Sequence, residues 1–307
     1  MEFHQLEYFV AVAESGSFTR AARRCGVAQP SLSQQILKLE RELGARLFDR
    51  LPRRVVATDA GRVFYDKARA LLASAQDAVA SMRDEQAGGV ARLAVGAIPT
   101  VAPYVLPGAV RRFLAEAPSA ELTVHEGLTP HVTSAVLAGE LDLAVVALPV
   151  HDERLIYETI ATDPMLVALP AKHRLAARRR VAVEDLRDEP FILLHEMHCL
   201  GEQTTTFCRE SGLGQRITCR GAQLGTVQML VGMGMGVSLL PAMAKAADRD
   251  PSRVYRPLKG TPLVRTLVAI WHRDRYRTQA ARAFVRALRE AARGGVGEDN
   301  APRKRGG

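Results

Sequence analysis

The sequence contains no apolar run near the roughly 20 residues that a membrane-spanning helix needs. Its first residues also lack the basic and then apolar pattern of a secretory signal peptide. Only four cysteines occur among 307 residues. We therefore expect a cytoplasmic protein with no membrane partner, in which thiols are kept reduced and do not form a structural disulfide framework.

Signatures of cofactor and metal binding are missing as well. The glycines of residues 232–236 follow a predicted helix and precede a predicted strand, whereas a dinucleotide-binding loop follows a strand and opens a helix. His195, His198, Cys199 and Cys208 have a spacing that matches no usual zinc signature. The sequence therefore predicts neither a bound cofactor nor a metal ion.

Charge is unevenly distributed along the chain. In total, 42 Lys and Arg residues against 33 Asp and Glu residues give a formal net charge of +9. Residues 17–69 alone contain 12 basic and 5 acidic residues, an excess of +7. A basic protein suits a polyanionic partner such as nucleic acid, and the concentration of charge points to the N-terminal segment as the place where that partner binds.

The same segment has the helix start and stop signals of a helix-turn-helix. Apolar residues recur at helical spacing over residues 6–13, and the pattern stops near Gly16. Ser17 is a suitable N-cap for a second helix. A turn at residues 26–27 leads to a third helix that begins near Pro30, because proline is tolerated in the first turn of a helix.

The third predicted helix has an apolar and a polar face. Its apolar face consists of Leu32, Ile36, Leu39 and Leu43. Polar side chains opposite them can reach base edges from the major groove, and arginines of a predicted β-wing over residues 50–58 can reach phosphates or the minor groove. The predicted DNA-contacting residues are Gln29, Pro30, Ser31, Ser33, Gln34, Gln35, Lys38, Arg50, Arg53 and Arg54. The alternative is a small helical domain whose basic residues are incidental.

A long helix is predicted next, because residues 58–85 contain no proline and Thr58 is a plausible N-cap. A narrow apolar stripe on a helix of this length typically packs against a second copy of the same helix. The stripe consists of Val63, Leu71, Ala75, Ala78 and Met82. We therefore expect a dimerisation helix, followed by a hinge at Gly88-Gly89.

Predicted strands and helices alternate from residue 92 onward, which is typical of an α/β domain with a largely parallel sheet. The pattern restarts near residue 165 and returns near residue 268, so we expect a two-lobed clamp of the periplasmic-binding-protein-like kind. The predicted organisation is a winged helix-turn-helix DNA-binding domain at 1–58, a linker and dimerisation helix at 59–89, a two-lobed α/β regulatory domain at 90–293 and a disordered tail at 294–307.

These N-terminal features resemble the DNA-binding domain of LysR-type transcriptional regulators. The resemblance rests on the Ala21-Ala22 helix, on Gln29-Pro30-Ser31-Leu32-Ser33 and on the wing, and it extends through the long helix and both lobes to about residue 290. It implies a transcriptional regulator and not an enzyme. The implied partners are double-stranded promoter DNA, further copies of the chain in a dimer of dimers, and RNA polymerase.

The regulatory segment resembles the hydrogen peroxide-sensing, OxyR-like branch of that family. The matching stretches are residues 98–104, His125-Glu126 with Thr129, His198-Cys199-Leu200 and Phe207-Cys208. The resemblance implies that Cys199 reacts with hydrogen peroxide, that Cys208 resolves the product as a disulfide, and that thiol reductants reset the pair. The implied peroxide pocket consists of Thr100, His125, Thr129, His198 and Arg265. Gly201-Glu202 replaces the Arg-Asp pair that is more usual after the first cysteine.

The spacing of the two thiols has a structural consequence. If residues 199–208 are helical, the two Cα atoms are separated by about 13 Å, whereas a disulfide requires them within about 7 Å. A bridge would therefore require the helix to unwind. The alternatives are two buried, inert thiols, a regulator that responds to a small organic effector in the interlobe cleft, or an enzyme or transport-type binding protein that uses the clamp fold alone.

Overall fold

A computed structural model describes residues 1–51, 54–85, 91–195, 197, 199–213, 216–260 and 263–295. The described chain forms two compact units. The first contains residues 1–85, and the second contains most of residues 91–295. None of the described helices is long and apolar enough to cross a membrane.

The first unit is a winged helix-turn-helix followed by a long helix. Its elements are α1 (Phe3–Ser15), α2 (Phe18–Arg24), α3 (Gln29–Leu43), β1 (Phe48–Leu51), β2 (Arg54–Ala57) and α4 (Asp59–Glu85). The strands β1 and β2 pair antiparallel and form the wing.

Capping residues set the helix ends where the sequence predicts them. Gly16, with φ of 61°, ends α1 in the left-handed region that favours glycine. The Ser17 hydroxyl accepts a hydrogen bond from the backbone N–H of Arg20 at the start of α2. The Thr58 hydroxyl accepts from the N–H of Gly61 at 3.0 Å and so caps α4. These three predicted helix boundaries are confirmed.

The core of the first unit packs α3 against α1, α2 and the wing. Leu32, Ile36 and Leu39 are fully buried, as their spacing predicts. The Phe48 ring lies 5.2 Å from the ring of Phe9, between centroids. Leu43, by contrast, is 39% exposed. Its assignment to the buried apolar face was wrong, because α3 ends at this residue and leaves its side chain largely exposed.

The second unit contains two α/β lobes. The first lobe contributes β3 (Arg92–Ala97), α5 (Ala102–Glu116), β4 (Glu121–Glu126), α6 (Thr129–Leu137) and β5 (Leu143–Ala147). The crossing strand β6 (Leu155–Pro170) leads to the second lobe. That lobe contains β7 (Phe191–Leu194), α7 (Cys199–Glu210), β8 (Ile217–Gly221), α8 (Leu224–Gly232), β9 (Ser238–Pro241), α9 (Ala242–Ala247) and β10 (Arg253–Pro257). The chain returns through β11 (Val264–His272) to α10 (Gln279–Gly295).

The prediction of a largely parallel sheet was wrong. Parallel pairs occur within each lobe, since β3 pairs with β4 and β5, and β7 pairs with β8. The strands β6 and β11, however, pair antiparallel with each other and with their other neighbours. The physical reason is the double crossing: one long strand carries the chain into the second lobe and another carries it back alongside.

Candidate functional site

The candidate site lies between the two lobes at the first residue of α7. Cys199 opens this helix and is partly exposed. Its sulfur lies 2.7 Å from the hydroxyl oxygen of Thr129, which opens α6 in the first lobe. A helix N-terminus carries a partial positive charge and is a favourable place for negatively charged groups. The contact therefore joins a potentially nucleophilic sulfur in one lobe to a hydroxyl group in the other.

Arg265 provides the buried positive charge of the site. The residue lies on β11 and is 2% exposed. Its Nη1 donates to the Thr100 hydroxyl at 3.1 Å, and its Nη2 donates to the Thr100 carbonyl at 3.1 Å. Thr100 lies in the loop between β3 and α5. Because the Thr100 oxygen accepts from the guanidinium, its own hydrogen stays available for a ligand.

Asp163 is a functional candidate that the sequence analysis did not identify. This buried carboxylate lies on β6 and accepts from Nε of Arg265 at 3.0 Å. The two residues are direct partners across the β6–β11 pairing. Burial raises the pKa of Asp163, and the nearby Arg265 opposes that rise. Burial likewise lowers the pKa of Arg265, although the guanidinium stays protonated because its ordinary pKa lies above about 12.

Cys208 lies in a very different environment from Cys199. It is the tenth residue of α7 and belongs to the hydrophobic core of the second lobe. Burial raises the pKa of the Cys208 thiol to about 11. Since the intervening turns are helical, the two Cα atoms are separated by about 13 Å. Cys208 is therefore a protonated, inaccessible thiol in this conformation, and no disulfide can form within it.

The packing of α7 on β7 depends on Gly201. A Cβ atom at this position would lie 2.2 Å from the carbonyl oxygen of His195 and 2.8 Å from that of Leu194, at the end of β7. The first turn of the helix therefore packs directly on the strand backbone, and only glycine permits this approach. On the opposite side, Gln203 Nε2 donates to the Leu148 carbonyl in the first lobe at 2.9 Å. The glycine that replaces the more usual arginine at position 201 thus has a steric role, because it allows α7 to pack closely on β7.

The structure brings together some of the predicted pocket residues and not others. Thr129 contacts Cys199, and Thr100 contacts Arg265. His125 is exposed on β4, and no hydrogen bond joins it to another residue of the pocket in the part of the chain that the structure describes. His198 lies outside the described residues.

The predicted DNA-contacting residues lie on α3 and the wing. Gln29, Pro30, Ser31, Gln34 and Lys38 are exposed, and Ser33 and Gln35 are partly buried. The Gln35 side chain accepts a hydrogen bond from the buried Gln5 at 3.0 Å, so it also supports the packing of α3 on α1. Arg50 and Arg54 belong to β1 and β2. Arg53 lies outside the described residues.

Comparison with known protein families decides the family of this chain. Residues 3–62 match the "Bacterial regulatory helix-turn-helix protein, lysR family", and residues 86–293 match the "LysR substrate binding domain". The chain belongs to the LysR family of transcriptional regulators. LysR regulators bind promoter DNA and form oligomers, and this family is one of regulators, not of enzymes.

The relatives of this LysR regulator include OxyR proteins. It is 37% identical over 282 residues to the DNA-binding transcriptional dual regulator OxyR of Escherichia coli, with 86% of this chain and 91% of that protein covered. The full-length OxyR structure from Pseudomonas aeruginosa has a TM-score of 0.79 at 30% identity, covering 94% of this chain and 95% of that one. The hydrogen peroxide-bound OxyR mutant of Corynebacterium glutamicum has a TM-score of 0.65 at 28% identity, covering 96% and 94%.

Proposed function

We propose that this LysR regulator senses hydrogen peroxide through Cys199 and Cys208 and alters its binding to the promoters of oxidative-stress genes. The observation that carries the proposal is the contact of Cys199 with Thr129, 2.7 Å apart at the start of α7. Its similarity to a hydrogen peroxide-inducible genes activator and to the OxyR regulator of Escherichia coli supports the same function.

The first chemical step is attack of the Cys199 thiolate on one oxygen of hydrogen peroxide. The O–O bond breaks, the sulfur becomes a sulfenic acid, and the departing hydroxide takes up a proton and leaves as water. The hydroxyl groups of Thr100 and Thr129 can donate hydrogen bonds to the departing oxygen of peroxide, which gains negative charge in this step. Arg265, which holds the Thr100 hydroxyl, supplies a fixed positive charge nearby.

The second step requires movement of the protein. The Cys208 sulfur attacks the sulfenic sulfur, a disulfide forms and a second water leaves. Cys208 is 3% exposed and its thiol has a pKa of about 11, so it must leave the core before it ionises readily. Because a bridge needs the Cα atoms within about 7 Å, several turns of α7 must unwind in the same process.

The composition of α7 suits a helix that unwinds. Gly201 and the consecutive threonines of residues 204–206 all have low intrinsic helix propensity. Relative to alanine at these four positions, the sequence disfavours the helix by roughly 3 kcal/mol. The helix is therefore maintained mainly by its contacts, such as those of Leu200 and Cys208 in the second-lobe core and of Gln203 with Leu148. Breaking these contacts on oxidation would release the whole segment.

We further propose that the unwound segment changes the packing of the regulatory lobes in a dimer of dimers, and hence the spacing of the α3 helices on promoter DNA. In this proposal α3 and the wing contact the operator, the long helix α4 joins two subunits, and thiol reductants restore the reduced state. The exposure of Val63, Leu71 and Met82 on α4 supports a dimerisation face there. RNA polymerase is the proposed partner once the promoter is bound.

Mass spectrometry of the thiols before and after a brief, substoichiometric peroxide pulse tests the proposal. We expect a bridge between Cys199 and Cys208 in the wild type and none in Cys199→Ser, which should keep its fold and basal DNA binding. Cys219→Ser, on β8 in the same lobe, is the control and should respond like the wild type. A full peroxide response from Cys199→Ser would favour a thiol-independent regulator that binds an organic effector.

A further inference from the structure

Asp163 holds the guanidinium of Arg265 in place at the junction of the crossing strands. Its Oδ2 lies 3.0 Å from both Nε and Nη2 of Arg265. Its Oδ1 accepts from the backbone N–H of Met243 at 3.2 Å, where α9 begins. The carboxylate is therefore fixed on both oxygens, and it belongs to a residue that is 0% exposed. A charge-assisted pair of this geometry sets the orientation of the guanidinium plane.

The other edge of that guanidinium faces the proposed peroxide pocket. Nη1 and Nη2 donate to the hydroxyl and the carbonyl of Thr100, and Nη2 also lies 3.2 Å from the sulfur of Met243. Rotation of Arg265 away from Asp163 would break both bonds to Thr100. The carboxylate therefore orients the Thr100 hydroxyl through Arg265, without contacting Thr100 or Cys199 itself.

The pair also determines the charge that acts on Cys199. The ionisable groups acting on Arg265 include Asp163 on β6, Tyr104 on α5 and Cys199 on α7, and Asp248 acts on Tyr104 in turn. Asp163 is the carboxylate that contacts the Arg265 guanidinium directly. In a buried environment its negative charge offsets much of the positive field of the guanidinium, because screening by solvent is weak there.

We propose that Asp163 is a positioning residue of the sensor, which orients Arg265 and limits the positive charge that favours ionisation of Cys199. This inference rests on the proposed role of Cys199 as the reactive thiol. Asp163 thus limits the reactivity of Cys199. The ion pair leaves enough positive charge near the thiol for it to react, but less than an unpaired arginine would supply.

The test measures the rate at which iodoacetamide alkylates Cys199 in the reduced full-length protein as a function of pH, by peptide mass spectrometry. Asp163→Asn removes the negative charge, so the rate profile should shift to lower pH by about one unit. Arg265→Gln removes the positive charge, so the profile should shift to higher pH. If the pair only stabilises the fold, both variants lower the melting temperature and neither profile moves, and that result would overturn the proposal.

Three further variants complete the test. Asp185→Asn removes a carboxylate that pairs with Arg178 elsewhere in the second lobe, and it should leave the profile unmoved. Asp163→Glu keeps the charge and should stay close to the wild-type profile. If Asp163→Asn does not fold, the double variant Asp163→Asn with Arg265→Gln replaces it, since it loses both charges together. Its rate profile should lie at lower pH than that of Arg265→Gln, and at higher pH than the profile expected for Asp163→Asn.

Alkylation involves no peroxide, so this inference and the proposed function can fail separately. A shifted profile in a protein that ignores peroxide would contradict the proposed function and leave the role of Asp163 intact. An unmoved profile for Asp163→Asn in a protein that forms the Cys199–Cys208 bridge would contradict the role of Asp163 alone.

Discussion

Cys199 and Cys208 occupy the first and the tenth positions of one helix, α7, with Cys199 beside Thr129 at the lobe junction and Cys208 buried in the second-lobe core. The helix that separates the two sulfurs is also the element that must be lost for them to meet. Formation of the bridge and retention of α7 therefore exclude each other.

Thr129→Val should slow the oxidation of Cys199 by peroxide by about 100-fold, because it removes a hydroxyl donor beside the reacting sulfur. Stopped-flow measurement of peroxide consumption, or timed quenching followed by mass spectrometry, gives the rate. The matched control is Thr123→Val, which alters an exposed threonine on β4 and should react at the wild-type rate. An unchanged rate for Thr129→Val would contradict a role of this hydroxyl in the reaction.

The stability of the reduced protein should fall between pH of about 9 and 11, partly because of Cys208. Its pKa is about 11 in the folded protein against 9.0 ordinarily, so the unfolded chain loses this proton first as pH rises. The contribution is fully present below pH 9.0 and declines by roughly 3 kcal/mol as pH approaches 11. Urea unfolding of wild type and Cys208→Ala at several pH values should show a shallower decline for the variant. Parallel declines would contradict the prediction.

Gly201→Ala should destabilise the reduced protein by about 1–3 kcal/mol, because the new Cβ overlaps the backbone at His195 and forces the first turn of α7 away from β7. Gly225→Ala in α8 is the matched control, since its Cβ would meet nothing within 4 Å. Thermal unfolding under reducing conditions compares the two. A variant of Gly201 as stable as that of Gly225 would show that the helix does not need this close approach.

Gln34→Ala should weaken binding to the operator by about 1–3 kcal/mol while leaving binding to unrelated DNA unchanged, as expected for a base-reading side chain. Gln35→Ala should in addition lower thermal stability, because the buried Gln5 amide loses its partner. Fluorescence anisotropy with specific and non-specific duplexes separates the two effects. Equal losses on both duplexes for Gln34→Ala would assign it to phosphate contact instead.

Local signals explain how much of the fold the sequence predicts. Gly16, Ser17 and Thr58 act within one or two turns of the chain, so the helix boundaries they predict are confirmed. The first half of β6 was not predicted, because its residues do not alternate regularly between buried and exposed. The antiparallel pairing of β6 with β11 was not predicted either, since it depends on the path of the chain between lobes.

The candidate site shows the same limit. The resemblance to known sensors indicated Thr100, Thr129 and Arg265, and the structure joins Thr129 to Cys199 and Thr100 to Arg265. No sequence pattern indicated Asp163. It meets Arg265 only because β6 and β11 pair in this register, and the two residues are 102 positions apart in the sequence. Contacts made by distant strands require the tertiary structure.

Amide hydrogen exchange across residues 199–210, in reduced and in peroxide-treated protein, tests most directly whether the Cys199–Cys208 disulfide and the helix α7 exclude each other. The bridge is verified by mass spectrometry in the same sample. We expect the backbone amides of α7 to be protected when the thiols are free and to lose that protection once Cys199 and Cys208 are joined. A joined pair with the protection of α7 retained would contradict the proposed switch.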